Sequence, residues 1–241
     1  MSVALAFLFP LVTGSGPMDQ ALRATEAPPT LRAAFMVEMT SDTARRVLRF
    51  DPRLPPNERW QLVEASGEDG ALDDAAAAWG AEIAPDGRLF PDDLRASLGQ
   101  MVEVEDLGTA WRVRFDHVPS ENDSELDVWA VRQLEAEAWL EPVDGAFLRL
   151  NYVLPAPVRG PDGGRLTRFK QSYLLETDPV WGLSYVSRYS LSFEAKAAFR
   201  TIRRDYDAVI SDATFFFASS EAERQFVEAL EEGTGLAIAE R

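Results

Sequence analysis

The chain has no cysteine and one histidine, His117. The first absence excludes a disulfide framework, a thiolate metal site, a cysteine nucleophile and a lipidated cysteine. One histidine falls short of the several His or Cys ligands a zinc site takes, and no G-x-S-x-G elbow offers a serine for it to activate. His117 therefore reads as a strand-end side chain beside an acidic loop. Basic residues are also scarce, 24 against 40 acidic ones, for a net charge of −16. Such a field repels phosphate backbones and anionic membranes, and the basic residues do not cluster, so nucleic-acid binding is disfavoured. No apolar run reaches the roughly 20 residues of a membrane-spanning helix. There is no internal repeat, low-complexity tract or clean linker, and one domain is the simplest reading.

Apolar residues make up 46% of the chain, enough for a substantial core. The longest apolar run, Val3 to Val12, has the length of a signal-peptide core and is followed by the small residues Thr13 to Gly16. No Lys or Arg precedes it. Residues 1–16 are expected to be a signal segment of a periplasmic or otherwise exported protein. If the run is instead a buried strand, the protein is cytoplasmic.

From residue 17 onward, a single β-rich domain is expected. Pro17 to Ala24 reads as a short helix opened by proline. Leu31 to Thr40 alternates Ala33, Phe35, Val37 and Met39 at a spacing of two, which makes a strand with one buried face. Arg46 to Asp51 and Arg59 to Ala65 follow, with Leu48, Phe50, Trp60 and Leu62 as their inward positions. Residues 67–99 read as an inserted helical cover, with helices at Ala71 to Trp79 and Pro91 to Leu98, each too short to stand alone. Strands resume at Gln100 to Glu105 and Thr109 to Val118, the latter with Trp111, Val113 and Phe115 on one side. Val128 to Leu134 is ambiguous between helix and strand. Glu135 to Leu140 and Ala146 to Leu154 flank an Asp-Gly hairpin turn. Three long strands end the sheet, at Arg165 to Thr177, Leu183 to Lys196 and Phe199 to Ile210. In the second, Tyr185, Tyr189, Leu191 and Phe193 are expected on one face, with Ser184, Val186, Arg188 and Ser190 opposite. Ser219 caps a closing helix stopped by Gly233. The fold class is α+β and mostly antiparallel, a curved half-barrel sheet with a few short covering helices.

Signs of catalysis are weak. Asp123 to Asp127 alternates carboxylates as a calcium loop does. The glycine and glutamate an EF-hand needs at its sixth and twelfth positions are replaced by Val128 and Leu134. Glu135 and Glu137 are neighbours on one wet strand face, and carboxylate spacing alone does not make a glycosidase. With Asp144 they are the only candidates for a hydrolase. Gly160 to Gly164 joins two strands and lacks the Lys-Ser/Thr of a phosphate loop. No catalytic residue, metal ligand or cofactor is expected.

Aromatic residues concentrate on the strands. They suit core packing, and they equally suit an apolar cavity whose mouth carries tyrosine and tryptophan. By alternation, Trp60, Trp111, Tyr173 and Tyr189 are the candidate ligand-lining residues.

A helix around Met18 to Ala24 leads into the strand Leu31 to Thr40. Arg49-Phe-Asp-Pro52, Glu58-Arg-Trp60, Ala138 to Gly145 and Phe147 to Tyr152 then follow in order. This order resembles the LolA/LolB/RseB-like superfamily of bacterial periplasmic lipoprotein carriers and sensors, over roughly Met18 to Phe217. The resemblance implies an unclosed antiparallel half-barrel with helices over an apolar concave face. It also implies export and the binding of a lipid, acyl chain or lipoprotein, peripheral to the membrane at most. It carries no individual functional residue. The rival expectation is a protein-interaction module of the cell envelope, with a filled core and an envelope protein as partner.

Overall fold

A computed structural model describes residues 21–22, 28, 30–79, 89, 98–119, 124–143, 145–161, 163–197 and 200–231. The signal-segment expectation for 1–16 and the helix expected over 91–97 lie outside these residues. The helix expected at Pro17 to Ala24 is described only at Ala21 and Leu22, which are helical.

The strands are β1 (Leu31–Thr40), β2 (Ala44–Phe50), β3 (Trp60–Gly67), β4 (Leu98–Asp106), β5 (Trp111–His117), β6 (Glu135–Leu140), β7 (Phe147–Val153), β8 (Val158–Arg159), β9 (Arg165–Thr177), β10 (Ser184–Ala197) and β11 (Arg200–Phe217). The helices are α1 (Gly70–Ala78), α2 (Glu125–Val131) and α3 (Ser220–Glu231), with a 3-10 turn at Pro56–Glu58. All eleven strands form one antiparallel sheet in the order β3-β2-β1-β11-β10-β9-β7-β6-β5-β4, with β8 paired to β9. The sheet curves without closing, so β3 and β4 remain its edges.

Alternation along each strand and register between strands together sort the side chains into rows across the sheet. One row runs Val104, Val113, Ala138, Leu150, Tyr173, Tyr189, Ala208, Met39, Arg46, Ala65. It is apolar but for the two tyrosine hydroxyls and Arg46, and it belongs to the inner face. A neighbouring row runs Glu103, Arg114, Glu137, Asn151, Ser172, Ser190, Asp207, Thr40, Arg45, Ser66 and belongs to the outer face. Every member of that second row is polar. Asn151 ties it together, donating to Glu137 Oε1 at 3.4 Å and accepting from Ser172 Oγ at 2.6 Å.

The inner face holds two clusters. One joins β1, β2, β10 and β11 to α1 through Phe35, Phe50, Leu72, Trp79 and Tyr189. The other joins β5, β6, β7 and β9 to Ala21 and Leu22. Tyr173 touches both. Fully burying a side chain of this size contributes about 1.5–3 kcal/mol. α3 packs Phe226 against Phe217 and Trp181.

Four local readings change. β11 runs seven residues past the expected Ile210, to Phe217, because β1 gives it a partner as far as Leu31. Leu98, expected to end a helix, begins β4. The ambiguous segment after the acidic loop is helical at Glu125–Val131. In β10 the register shifts between Val186 and Arg188. Val186 stands opposite Leu175 and Tyr189 opposite Tyr173, so residues three apart share the inner face. Ser184 and Val186, expected outside, are therefore buried. The bulge also releases the Val186 N–H, which donates to Leu89 O at 2.8 Å.

Candidate functional site

All four aromatic candidates project from the inner face, but the sheet does not gather them. Trp60 lies on the edge strand β3, packed on Phe50 and Phe35 with ring centroids 4.8 and 5.7 Å away. Trp111 lies on β5 beside Leu140, near the opposite edge. Tyr173 and Tyr189 are cross-strand partners at the centre, 5.1 Å apart.

The central pair is packed under the cover. Trp79, at the C-terminal end of α1, is 1% exposed and meets Tyr189 edge-on at 5.9 Å. Gln171 Nε2 donates to both Tyr173 Oη, at 2.8 Å, and Tyr189 Oη, at 3.1 Å. Burial pushes the Tyr189 hydroxyl far above the usual phenol range, and the adjacent Tyr206 adds to the shift. Tyr206 is raised for the same first reason. Tyr189 and Tyr206 are thereby held in their neutral form as core residues.

α1 is held by its own chemistry. Asp69 caps it, accepting from the N–H groups of Ala71 at 2.9 Å and Leu72 at 3.2 Å. The Ser41 hydroxyl and those N–H groups hold the Asp69 carboxyl below its ordinary range. Leu72 and Ala76 form the buried stripe, one helical turn apart. Arg46 on β2 is buried on the inner face. Its Nε donates to Asp73 Oδ1 at 2.7 Å, Nη1 to the carbonyls of Arg45 and Ser66 at 2.8 Å each, and Nη2 to Gly67 O at 3.4 Å.

Between α1 and the β2–β3 edge runs an open groove of about 480 Å³, lined by Arg46, Leu48, Pro56, Trp60, Leu62, Asp73, Ala76 and Ala77. Its volume falls in the range of small-molecule sites, roughly 300–1,000 Å³. Leu62 faces inward opposite Leu48 yet is 59% exposed, because α1 stops short of the edge. Trp60 Nε1 is buried with no acceptor among the described residues.

Alternation located Trp60 but missed the residues that build the groove with it. Arg46 carried a signal, since it stands at spacing two from Leu48 and Phe50 and so shares their apolar face. Asp73 and Trp79 gave none that was specific to this groove.

Glu135 and Glu137 sit on β6 with Glu137 on the polar outer row, and Asp144 lies outside the described residues. Among the described residues, no three or more His, Cys, Asp or Glu come together to hold a metal ion, and no helix is long and apolar enough to cross a membrane. No protein-family model, curated protein or solved structure matches the chain.

Proposed function

We propose that the protein is a non-catalytic binding protein that holds a lipid or acyl chain on the concave face of its sheet, as the LolA-like carriers and sensors it resembles do. The reading extends to a periplasmic or otherwise exported protein, with a lipid or lipoprotein as cargo. The groove between α1 and β3 is the observation that carries it. Its walls are Leu48, Trp60, Leu62, Ala76 and Ala77, with Leu62 solvent-exposed. Each methylene withdrawn from water there is worth about 0.8 kcal/mol. An ester or amide carbonyl would supply the acceptor that Trp60 Nε1 lacks, relieving a cost of about 1–3 kcal/mol. Trp111 stands too far along the sheet to share this ligand.

The test is titration of lysophospholipids and lipopeptides, with native mass spectrometry to detect the complex. Trp60→Ala and Leu62→Lys are expected to weaken binding at least about tenfold, a loss of 1.4 kcal/mol. Trp111→Ala is expected to leave it unchanged. An apo mass unaltered by every amphiphile would refute the reading.

One observation favours the rival, an interaction module of the cell envelope. On β4, Met101, Val102 and Val104 are 54%, 67% and 58% exposed, and the strand's outer edge is unpaired among the described residues. Such an edge can accept a partner's strand.

A further inference from the structure

The outer face carries a second groove, larger than the first, about 740 Å³, across β3, β2, β1 and β11. Its floor is Ala34 and Met36, with Leu62 and Val63 toward the edge. Its polar lining is Arg49, Arg53, Gln61, Asp212 and Thr214. The register fixes the order across it, with Gln61 beside Arg49, Arg49 beside Met36 and Met36 beside Ser211.

Three of these are charged, and one is already satisfied. Arg53 is bidentate to Asp51, at 2.8 and 2.7 Å, and lies 5.2 Å over the Phe216 ring. That guanidinium holds the Asp51 carboxyl below its ordinary range. The other two are not. Arg49 and Asp212 are exposed, and neither makes an ion pair or side-chain hydrogen bond among the described residues. They stand on opposite banks, two strands apart, or about 10 Å between backbones. They are thus too far apart in the sheet to pair as direct neighbours, and both line one depression.

Asp212 is also the only described non-glycine residue with positive φ, at 53°. The pairing shows why. Ala34 faces Thr214 and Met36 faces Ser211, so Asp212 and Ala213 together oppose Phe35. This is a bulge whose first residue is left-handed, a place ordinarily given to glycine. Asp tolerates that conformation better than most residues, but still at a cost that glycine would avoid. The bulge widens the groove and sets a carboxylate on its bank.

We infer that the outer groove binds a compact zwitterion, its anionic group on Arg49 and Gln61 and its primary ammonium on Asp212, with any apolar part over Met36. The charges of the lining residues support this choice. Arg53 is paired with Asp51, whose carboxylate also feels Arg49, and the four charges Arg49, Arg53, Asp51 and Asp212 sum to zero with Asp212 standing apart on the far bank. A simple anion would meet the Asp212 carboxylate, and a simple cation the Arg49 guanidinium. The site is on the opposite face from the acyl groove; Leu62 at the edge borders both, but Arg49 and Asp212 line only the outer one, so their variants test it separately.

Isothermal titration with glycerophosphoethanolamine, a soluble phosphodiester, and with dispersed short-chain phosphatidylethanolamine, tests this. Both sources share the same head chemistry. Binding of the free compound alone marks a soluble ligand, and binding of the lipid alone marks a headgroup site. Ethanolamine and inorganic phosphate, each carrying half the charge pattern, should bind at least about tenfold more weakly. Arg49→Gln and Asp212→Asn should each cost about tenfold in affinity. Both sites are exposed and Asn also tolerates a left-handed backbone, so circular dichroism should be unchanged. Three results would overturn the proposal: no binding of either zwitterion at millimolar concentration, equal binding by both variants, or phosphate alone binding as tightly as the zwitterion.

Discussion

Replacing Trp79 by alanine separates a packed cover from a loose one. The indole is 1% exposed, closes the C-terminal end of α1 and rests on Tyr189. Removing it deletes the bulkiest fully buried side chain among the described residues and leaves a cavity above the tyrosines. Large-to-small changes of this kind cost about 3–5 kcal/mol where the surroundings cannot collapse. Collapse is restricted here, because Tyr189 and Tyr173 are both tied to Gln171 on the sheet. Whole domains are stable by only about 5–15 kcal/mol, so the variant should lose roughly a fifth or more of its stability. At a urea m-value of about 3 kcal/mol/M, the midpoint should fall by roughly 1–1.7 M. Amide exchange should rise in α1 before it rises in β10. A midpoint within about 0.3 M of the parent would show that Trp79 does not anchor the cover. The packing account of the inner face would then be wrong.

Arg46→Met removes the one cation of the central inner row and leaves Asp73, itself largely exposed, without a partner. Since buried pairs are often replaceable by apolar groups, stability measured by urea melting should change by less than about 2 kcal/mol. Asp73→Asn, which keeps the buried guanidinium but weakens its charged acceptor, should loosen α1 in amide exchange with little effect on β9. Tyr189 has a folded pKa far above its unfolded value near 10. Its stabilisation is complete below about pH 10 and is lost as pH rises above that. Melting temperature should drop on the alkaline side, and Tyr189→Phe should flatten the drop. Asn151→Ala breaks the outer row between Glu137 and Ser172 and should cost about 1–2 kcal/mol in denaturant melts.

The strands were legible because their signal is local. β1, β6 and β9 match their expected bounds, since period-two alternation ends at turn residues in each. The closing third of β11 was not, because Asp212 and Ala213 break the alternation and only pairing with β1 restores it. The inner placement of Val186 failed for a related reason, a bulge that no single strand's pattern announces. Of the candidate site, Trp60 could be read from its own strand. The groove itself could not, because it forms where α1 ends relative to β3, a distance set by packing. Leu62 shows the same limit: its direction followed from alternation, while its exposure depended on what covers it.

The pairing of β1 with β11 joins residues 186 positions apart, Leu31 with Phe217. β1, β2 and β3 leave the ribosome first and can form their own meander early. The other edge of β1 must then wait for the last strand of the sheet. At about 5–20 residues per second, that wait lasts roughly 10–40 s of synthesis. During it, Ala33, Phe35 and Val37 lack the neighbouring strand β11, with α1 alone of their later partners already made. The nascent protein is therefore most vulnerable to aggregation over this interval. Truncations that remove β11 should leave an N-terminal meander that binds holding chaperones.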